Sequence, residues 1–195
     1  MNFSRIQKIK NPFSSAATEL CIKREDLLHP FVSGNKFRKL KYNLLKAKEE
    51  NKITIITFGG AFSNHISATA AACKEQGFKS IGIIRGEELA ENLEKTFAGN
   101  PTLKFAHDCG MKFKFISRTA YREKNSADFL ASIEKEFRNS FIVPEGGTND
   151  LAIKGCEEIL TEGDEQFDII CCAVGTGGTI SGLINASNPH QKILG

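Results

Sequence analysis

The sequence has 195 residues, of which 41% are apolar and 25% are charged; these proportions are typical of globular proteins and exclude a chain that is disordered by default. Its 26 Lys and Arg residues against 23 Asp and Glu give a formal charge of only +3, too small for a nucleic-acid-binding surface. No apolar segment is long enough to span a membrane and no signal-peptide pattern follows Met1, so we expect a soluble, cytoplasmic protein.

The first predicted helix covers residues 36–48. Apolar residues recur there at helical spacing, which predicts that they face the core. They are Phe37, Leu40, Leu44 and Ala47. The charged residues between them are expected to lie mostly in water. These are Arg38, Lys39, Lys41, Lys46 and Lys48.

From residue 53 onward, short apolar runs alternate with amphipathic stretches. The predicted strands are 53–58, 80–84, 113–116, 141–143 and 167–174. The predicted helices are 64–76, 101–109, 126–137 and 149–162, and the first, second and fourth of them end at a glycine. This alternation favours an α/β fold with parallel sheets covered by helices.

A further strand is predicted at 192–194, immediately before the sequence ends at Gly195. A parallel sheet that stops there would leave an apolar edge exposed, which folded proteins normally avoid. We therefore expect the C-terminal part of the fold to be missing from this sequence. The alternative is a compact variant in which the last strand closes the sheet.

The strongest local sign of function is the turn at 174–179, Val-Gly-Thr-Gly-Gly-Thr, between a predicted strand and a predicted helix. Glycines let the backbone approach a phosphate, and the free amides of a helix start can donate to its oxygens. The turn is not a Walker A loop, because no Lys-Ser or Lys-Thr follows. It is not a complete dinucleotide-binding motif, since Ile180 takes the place of the third glycine. Alone, it fits a phosphate site and a structural turn about equally well.

A second sign is Lys36, in the first turn of the first predicted helix. The partial positive charge of a helix start disfavours the ammonium form, and burial acts in the same direction. A neutral lysine is a nucleophile towards aldehydes. Taken alone, the segment would fit an ordinary exposed lysine better.

Two further turns follow predicted strands. In 58–65, two glycines precede Ser63 and Asn64, which can cap the next helix or contact a ligand such as a carboxylate. The segment 144–149, Pro-Glu-Gly-Gly-Thr-Asn, repeats this arrangement. Loops at the carboxyl ends of parallel strands converge on one crevice. The histidines and cysteines lack the spacing of metal ligands, so no metal is expected there.

Together these segments resemble the family of 1-aminocyclopropane-1-carboxylate deaminases and D-cysteine desulfhydrases, which are pyridoxal-phosphate enzymes of the tryptophan-synthase-β-like fold. The resemblance runs from about residue 20 to residue 195. It is carried by 23–26 (Lys-Arg-Glu-Asp), 33–40, Gly59-Gly60 with 63–65, 100–103 (Asn-Pro-Thr-Leu) and 175–179.

The resemblance implies roles for particular residues. Lys36 is the expected Schiff-base lysine of pyridoxal phosphate and the general base. The expected phosphate loop consists of Gly175, Thr176, Gly177, Gly178 and Thr179. Asn64 resembles the asparagine beside the cofactor's phenolic oxygen. Ser63, with the amides of Asn64 and His65, resembles the place of the substrate carboxylate, and the Ser63 hydroxyl is a candidate to act on the substrate.

The same resemblance implies two parallel-sheet domains of the pyridoxal-phosphate fold type II class. The larger, cofactor-binding domain would comprise 1–46 and 140–195 and be incomplete, with 47–139 inserted as a smaller α/β domain. A homodimer is also implied. Many relatives have glutamine where Phe62 stands, so a polar contact beside the substrate is replaced here by an apolar side chain.

The implied function is that of a lyase that deaminates a small amino acid. It would form 2-oxobutyrate and ammonia from the cyclopropane substrate, or pyruvate, ammonia and sulfide from D-cysteine. Two alternatives remain open at this point. One is a truncated, non-catalytic relative that binds a phosphorylated ligand, and the other is a dinucleotide-dependent oxidoreductase built around the 174–179 turn.

Overall fold

The computed structural model describes residues 4–12 and 18–195. The strands are β1 (Ile6–Ile9), β2 (Leu20–Lys23), β3 (Thr54–Gly60), β4 (Lys79–Arg85), β5 (Lys112–Ile116), β6 (Ser140–Val143), β7 (Ile169–Cys171) and β8 (Lys192–Leu194). The helices are α1 (Asn35–Glu49), α2 (Asn64–Gln76), α3 (Leu93–Gly99), α4 (Pro101–Asp108), α5 (Arg118–Arg122), α6 (Ala127–Glu136), α7 (Asp150–Glu157) and α8 (Gly178–Ala186). Across the described ranges, no helix is long and apolar enough to cross a membrane.

A four-stranded parallel sheet in the order β5-β4-β3-β6 occupies the middle of the chain. Helices α2 and α4 cover one face, where Ile84 lies in their core cluster. Helices α5 and α6 cover the other face, where the neighbouring Ile83 is buried. Since both faces are covered, β3 reads as an almost continuous buried run rather than an alternating one.

The remaining elements lie around α1. This helix packs against α7, which in turn packs against α8. The last two strands, β7 and β8, form a parallel pair, and β1 and β2 form an antiparallel pair. The predicted strand at 192–194 is therefore present. Strand β6, which the predicted domain division assigned to the larger part, pairs with β3 in the four-stranded sheet; the division itself stays a prediction.

The expectation that Arg38 and Lys39 lie in water was wrong. Arg38 is only 4% exposed and Lys39 only 2%. The guanidinium of Arg38 donates two hydrogen bonds of 2.9 Å to the carboxylate of Glu25, a bidentate pairing that offsets the cost of removing both charges from water. Helix α1 is thus buried over a wider face than the positions of its apolar residues indicate.

The contact between α1 and α7 depends on a glycine, which gives a prediction about stability. A Cβ atom on Gly155 would lie 2.1 Å from the backbone oxygen of Arg38, so alanine there forces the two helices apart. We expect Gly155→Ala to lower the free energy of unfolding by about 3 kcal/mol, at the upper end of the usual cost of overpacking. Urea unfolding measures this change.

Gly99→Ala is the matched control, because no atom lies within 4 Å of a Cβ placed on Gly99. We expect it to change the free energy of unfolding by less than about 1 kcal/mol. Equal effects of the two substitutions would contradict the tight helix contact at Gly155.

Candidate active site

The glycine-rich turn at 174–179 leads directly into α8. Gly177, at the N-cap of α8, has a φ of +83°, a left-handed conformation that glycine adopts without strain. Within the described part of the chain, no side chain caps this helix. Its first backbone N–H groups are therefore available to an anion, and the helix dipole favours negative charge at the same place.

Lys39 lies beside this turn. Its Nζ atom donates to the carbonyl oxygen of Gly146 at 3.3 Å, to Oγ1 of Thr148 at 3.0 Å and to Oγ1 of Thr176 at 3.4 Å. The hydroxyls of Thr148 and Thr176 also contact each other. Burial lowers the pKa of Lys39. One amine thus joins α1, the 144–149 loop and the glycine-rich turn.

Sequence reasoning missed Lys39 as a site residue, because it expected the side chain to be exposed. The signal that could have found it is its spacing. Residues three positions apart lie on the same face of a helix, so a lysine three residues after Lys36 shares the face on which Lys36 lies.

Lys36 lines the same cleft as the glycine-rich turn. The cleft has a volume of about 160 Å³, and the residues that line it include Lys36, Lys39, Gly146, Gly175, Thr176, Gly177 and Thr179. This volume exceeds that of several water molecules. Gly178 faces it as well, since a Cβ there would lie 3.1 Å from Nζ of Lys39. The structure therefore brings together Lys36 and the predicted phosphate loop.

Asn35 fixes the two sides of the cleft to each other. Its Nδ2 atom donates to Oγ1 of Thr179 at 2.8 Å, which connects the first turn of α1 to the first turn of α8. Burial, and secondly the charge of Lys39, lower the pKa of Lys36 to about 8. Lys36 therefore has a substantial neutral, nucleophilic fraction near neutral pH.

The turn after β3 is arranged differently. Ser63 is the N-cap of α2, and its hydroxyl oxygen accepts a hydrogen bond of 3.4 Å from the backbone N–H of Ile66. Asn64 is exposed at the start of α2. Neither residue is among those that line the cleft of Lys36. Phe62 is 72% exposed and presents an apolar ring on the turn.

His65 lies beneath the surface rather than on it. Its Nε2 atom is 2.7 Å from Oγ1 of Thr57, which itself donates to the carbonyl oxygen of Val143 at 2.9 Å. The hydroxyl therefore accepts the proton carried by Nε2, and Nδ1 has no hydrogen-bond partner among the described residues. Burial lowers the pKa of His65 to about 3, with smaller contributions from Lys36 and Lys39. The neutral imidazole is therefore part of the packing between β3, β6 and the start of α2.

His65 also reaches the cleft indirectly through Gly147. A Cβ atom on Gly147 would lie 3.0 Å from Cε1 of His65 and 3.6 Å from Cβ of Lys39. The start of α2 thus packs against the 144–149 loop, whose Gly146 accepts the hydrogen bond from Lys39.

The pKa of Lys36 predicts how its reactivity changes with pH. An amine gains its neutral form as the pH rises, so about a tenth of the Lys36 amines are neutral at pH 7, given a pKa of about 8. We expect the labelling of Lys36 by acetaldehyde and cyanoborohydride to rise about tenfold per pH unit up to about pH 8 and then level off. Peptide mass spectrometry measures the label at each pH.

The same labelling of the urea-unfolded chain is the control. There Lys36 should behave as an ordinary lysine, whose pKa is about 10.4, and its labelling should keep rising past pH 8. If the folded and unfolded chains give the same pH profile, the cleft does not perturb this amine.

Comparison with known proteins identifies the family. Residues 4–193 match the family model described as "Pyridoxal-phosphate dependent enzyme". The chain belongs to this family. Pyridoxal phosphate is therefore the cofactor of its members, as the resemblance predicted, and the predicted family is confirmed.

Two relatives show which pyridoxal-phosphate enzymes this chain is similar to. A mitochondrial protein of Arabidopsis thaliana, named bifunctional D-cysteine desulfhydrase/1-aminocyclopropane-1-carboxylate deaminase, is 35% identical over 179 residues, which are 85% of this chain and 44% of that protein. A D-cysteine desulfhydrase of Serratia proteamaculans is 25% identical over 97% of this chain and 60% of its own length.

A solved structure agrees with these relatives. The crystal structure of an ACC deaminase homologue superposes with a TM-score of 0.76 at 28% identity, over 94% of this chain and 56% of that chain. The predicted α/β fold of the tryptophan-synthase-β-like class is thereby confirmed. This chain spans about half the length of the relatives that it matches.

Proposed function

We propose that this chain is part of a pyridoxal-phosphate-dependent lyase that deaminates a small amino acid, of the 1-aminocyclopropane-1-carboxylate deaminase or D-cysteine desulfhydrase type. The observation that carries the proposal is the single cleft shared by the amine of Lys36 and the turn before α8. The names of the relatives support the reaction class.

The residues of the cleft fit the cofactor. Its aldehyde requires an amine that is partly neutral, and Lys36 has a pKa of about 8. Its phosphate requires donors and positive charge, which the uncapped start of α8 and the Nζ atom of Lys39 offer. When bound, pyridoxal phosphate acts as an electron sink for the carbon that loses a proton.

Each residue then has a distinct task. Lys36 would hold the cofactor's aldehyde group through Nζ, and its amine would accept the proton from the substrate's α-carbon. Lys39 and the backbone amides of 175–179 would hold the phosphate. Thr176 and Thr179 carry hydroxyl groups in the same cleft, and these would donate to the phosphate.

The turn before α2 is proposed as the site of the substrate's carboxylate. The Ser63 oxygen accepts from Ile66, so its hydroxyl proton is available to a substrate oxygen. The amides of Asn64 and His65 lie in the first turn of α2, where helix geometry leaves backbone N–H groups without partners. The Asn64 amide is assigned to the cofactor's phenolic oxygen.

Three further expectations remain predictions of this proposal. They are the division into a larger part (1–46 and 140–195) and a smaller part (47–139), assembly as a homodimer, and location in the cytoplasm. Size-exclusion chromatography with light scattering would test the dimer.

The second candidate is a non-catalytic relative that binds a phosphorylated ligand at the same uncapped start of α8. The oxidoreductase alternative is not retained, because the family match is with pyridoxal-phosphate enzymes.

The test is to add pyridoxal phosphate to the purified chain, record the visible absorbance of lysine-bound cofactor, and assay for products. Pyruvate and sulfide are measured with D- and L-cysteine, and 2-oxobutyrate with 1-aminocyclopropane-1-carboxylate. A yellow protein that forms product supports the lyase. A yellow protein without product from any of these substrates favours the non-catalytic relative. A colourless protein refutes the lyase and leaves a non-catalytic module that binds another phosphorylated ligand.

A further inference from the structure

An arginine lies on the far side of the turn assigned to the substrate. Arg85 is the last residue of β4 and pairs with Gly60, the last residue of β3. A Cβ atom on Gly60 would lie 3.6 Å from Nη2 of Arg85, so the guanidinium stands next to the bare backbone of Gly60. The carbonyl oxygen of Gly60 accepts a 3.1 Å hydrogen bond from the N–H of Ser63. Arg85 therefore borders the turn that ends at Ser63.

The two glycines of this turn face opposite sides. A Cβ atom on Gly59 would lie 3.0 Å from Oγ of Ser63 and 2.5 Å from Cγ1 of Ile66, which is the side of α2. On Gly60 it would meet Arg85 instead. Successive residues of a strand point to opposite faces of the sheet. The glycine turn thus separates Ser63 on one side from the guanidinium of Arg85 on the other.

The surroundings hold Arg85 without neutralising it. Its guanidinium carbon is 5.8 Å from the ring centroid of Tyr121, which is only 3% exposed, and such stacking restrains the arginine. The nearby carboxylate, Glu145, is already engaged. Its Oε1 accepts from the Tyr121 hydroxyl at 2.8 Å, and its Oε2 is 3.2 Å from Nζ of Lys124. Among the described residues, no carboxylate forms an ion pair with Arg85.

This group also adjoins the cleft of Lys36. Glu145 immediately precedes Gly146, whose carbonyl oxygen accepts from Lys39 and which lines the cleft itself. An exposed guanidinium, restrained and without a counter-charge, therefore lies at the same carboxyl edge of the sheet as the proposed substrate site. Open α/β sheets bind their ligands at that edge.

We propose that Arg85 recognises a negative charge on the substrate's side chain, so that the preferred substrates are small amino acids with an acidic side chain. This inference rests on the proposed function, which places the α-carboxylate at Ser63. A side chain on the same carbon would reach Arg85 by passing over the carboxyl end of β3 at Gly60, which carries no side chain to block it. The planar guanidinium can donate paired N–H groups to a carboxylate or sulfonate. A neutral side chain leaves the guanidinium hydrated and without an anionic partner.

The test compares the binding of aspartate and alanine, each as D and L forms, to the chain loaded with pyridoxal phosphate and to the chain without it. The absorbance of bound cofactor reports binding in the first case, and calorimetry in the second. We expect one enantiomer of aspartate to bind about tenfold more tightly than the same enantiomer of alanine, the usual contribution of a charged hydrogen bond. Arg85→Gln should remove this preference and leave the affinity for alanine within about twofold.

Arg118→Gln is the matched control, since Arg118 is an exposed arginine at the start of α5 that is paired with Glu88. It should keep the preference. If the wild-type chain shows no preference for aspartate, or if Arg85→Gln retains it, the inference is wrong. Failure of the proposed function appears separately, as absence of colour with pyridoxal phosphate, and the calorimetric comparison then decides the role of Arg85 alone.

Discussion

Replacing Lys36 by alanine is expected to abolish covalent attachment of pyridoxal phosphate. The amine of Lys36 lies in the cleft with the glycine-rich turn and has a pKa of about 8, whereas the amine of Lys39 is held by three oxygen atoms. Borohydride reduction followed by peptide mass spectrometry should find the cofactor on Lys36 in the wild-type chain and on no residue of the variant. Where the wild-type chain shows turnover, its rate should fall at least about 100-fold, the usual contribution of a general base.

Lys112→Ala serves as the control for this prediction, because Lys112 is exposed on β5. This edge strand of the central sheet pairs with neither β3 nor β6. It should bind the cofactor like the wild-type chain. A Lys36→Ala protein that stays yellow and carries reducible cofactor would show that another amine is the attachment point. Lys39 would be the first residue to examine.

Replacing Lys39 by methionine is expected to weaken binding of pyridoxal phosphate by roughly 10- to 100-fold, the range for losing hydrogen bonds to a charged group. Methionine preserves the length of the side chain and removes the charge next to Gly178. Pyridoxal, which lacks the phosphate, should lose much less affinity, because removing the charge of Lys39 affects it only through a rise in the pKa of Lys36. Equilibrium titration by absorbance measures both affinities.

Lys41→Met is the control for Lys39→Met, because Lys41 lies on the same helix but pairs with Glu158 at the surface. Its affinity for both compounds should be unchanged. If Lys39→Met weakens pyridoxal as much as pyridoxal phosphate, the lysine supports the fold of the cleft rather than the phosphate.

Local signals in the sequence were sufficient for several elements. Helix α2 was predicted with both of its ends, because each end has a chemical signal of its own. Ser63 caps the first turn with its hydroxyl oxygen, and Gly77 ends the helix with a φ of +78°. The strands of the central sheet were predicted within two residues at each end, since each contains a short apolar run; in β3 that run is buried on both faces.

Elements that depend on distant contacts were predicted less well. The helix expected over 149–162 ends at Glu157, and a separate 3₁₀ turn at Glu162–Asp164 follows. There the Asp164 carboxylate accepts from the N–H and hydroxyl of Thr161 and pairs with Lys23. The lysine lies 141 residues away in sequence, so a local window contains no sign of it. Helices α3 and α5 were not predicted.

The candidate site shows the same limit. The glycine-rich turn and the position of Lys36 at a helix start were visible in the sequence. The burial of Lys39 was not, because its partners Gly146, Thr148 and Thr176 are between 107 and 137 positions away. Periodicity assigns a residue to a face of its own helix but does not reveal which other segments cover that face.

The hydrogen bond between Asn35 and Thr179 joins residues 144 positions apart, with the whole four-stranded sheet between them in sequence. On the ribosome, the strands of that sheet emerge before the segment that supplies Thr179. The sheet can therefore assemble before Thr179 reaches its place beside Asn35. The contact between the starts of α1 and α8 is consequently made late in the maturation of this polypeptide, once its early and late segments have met.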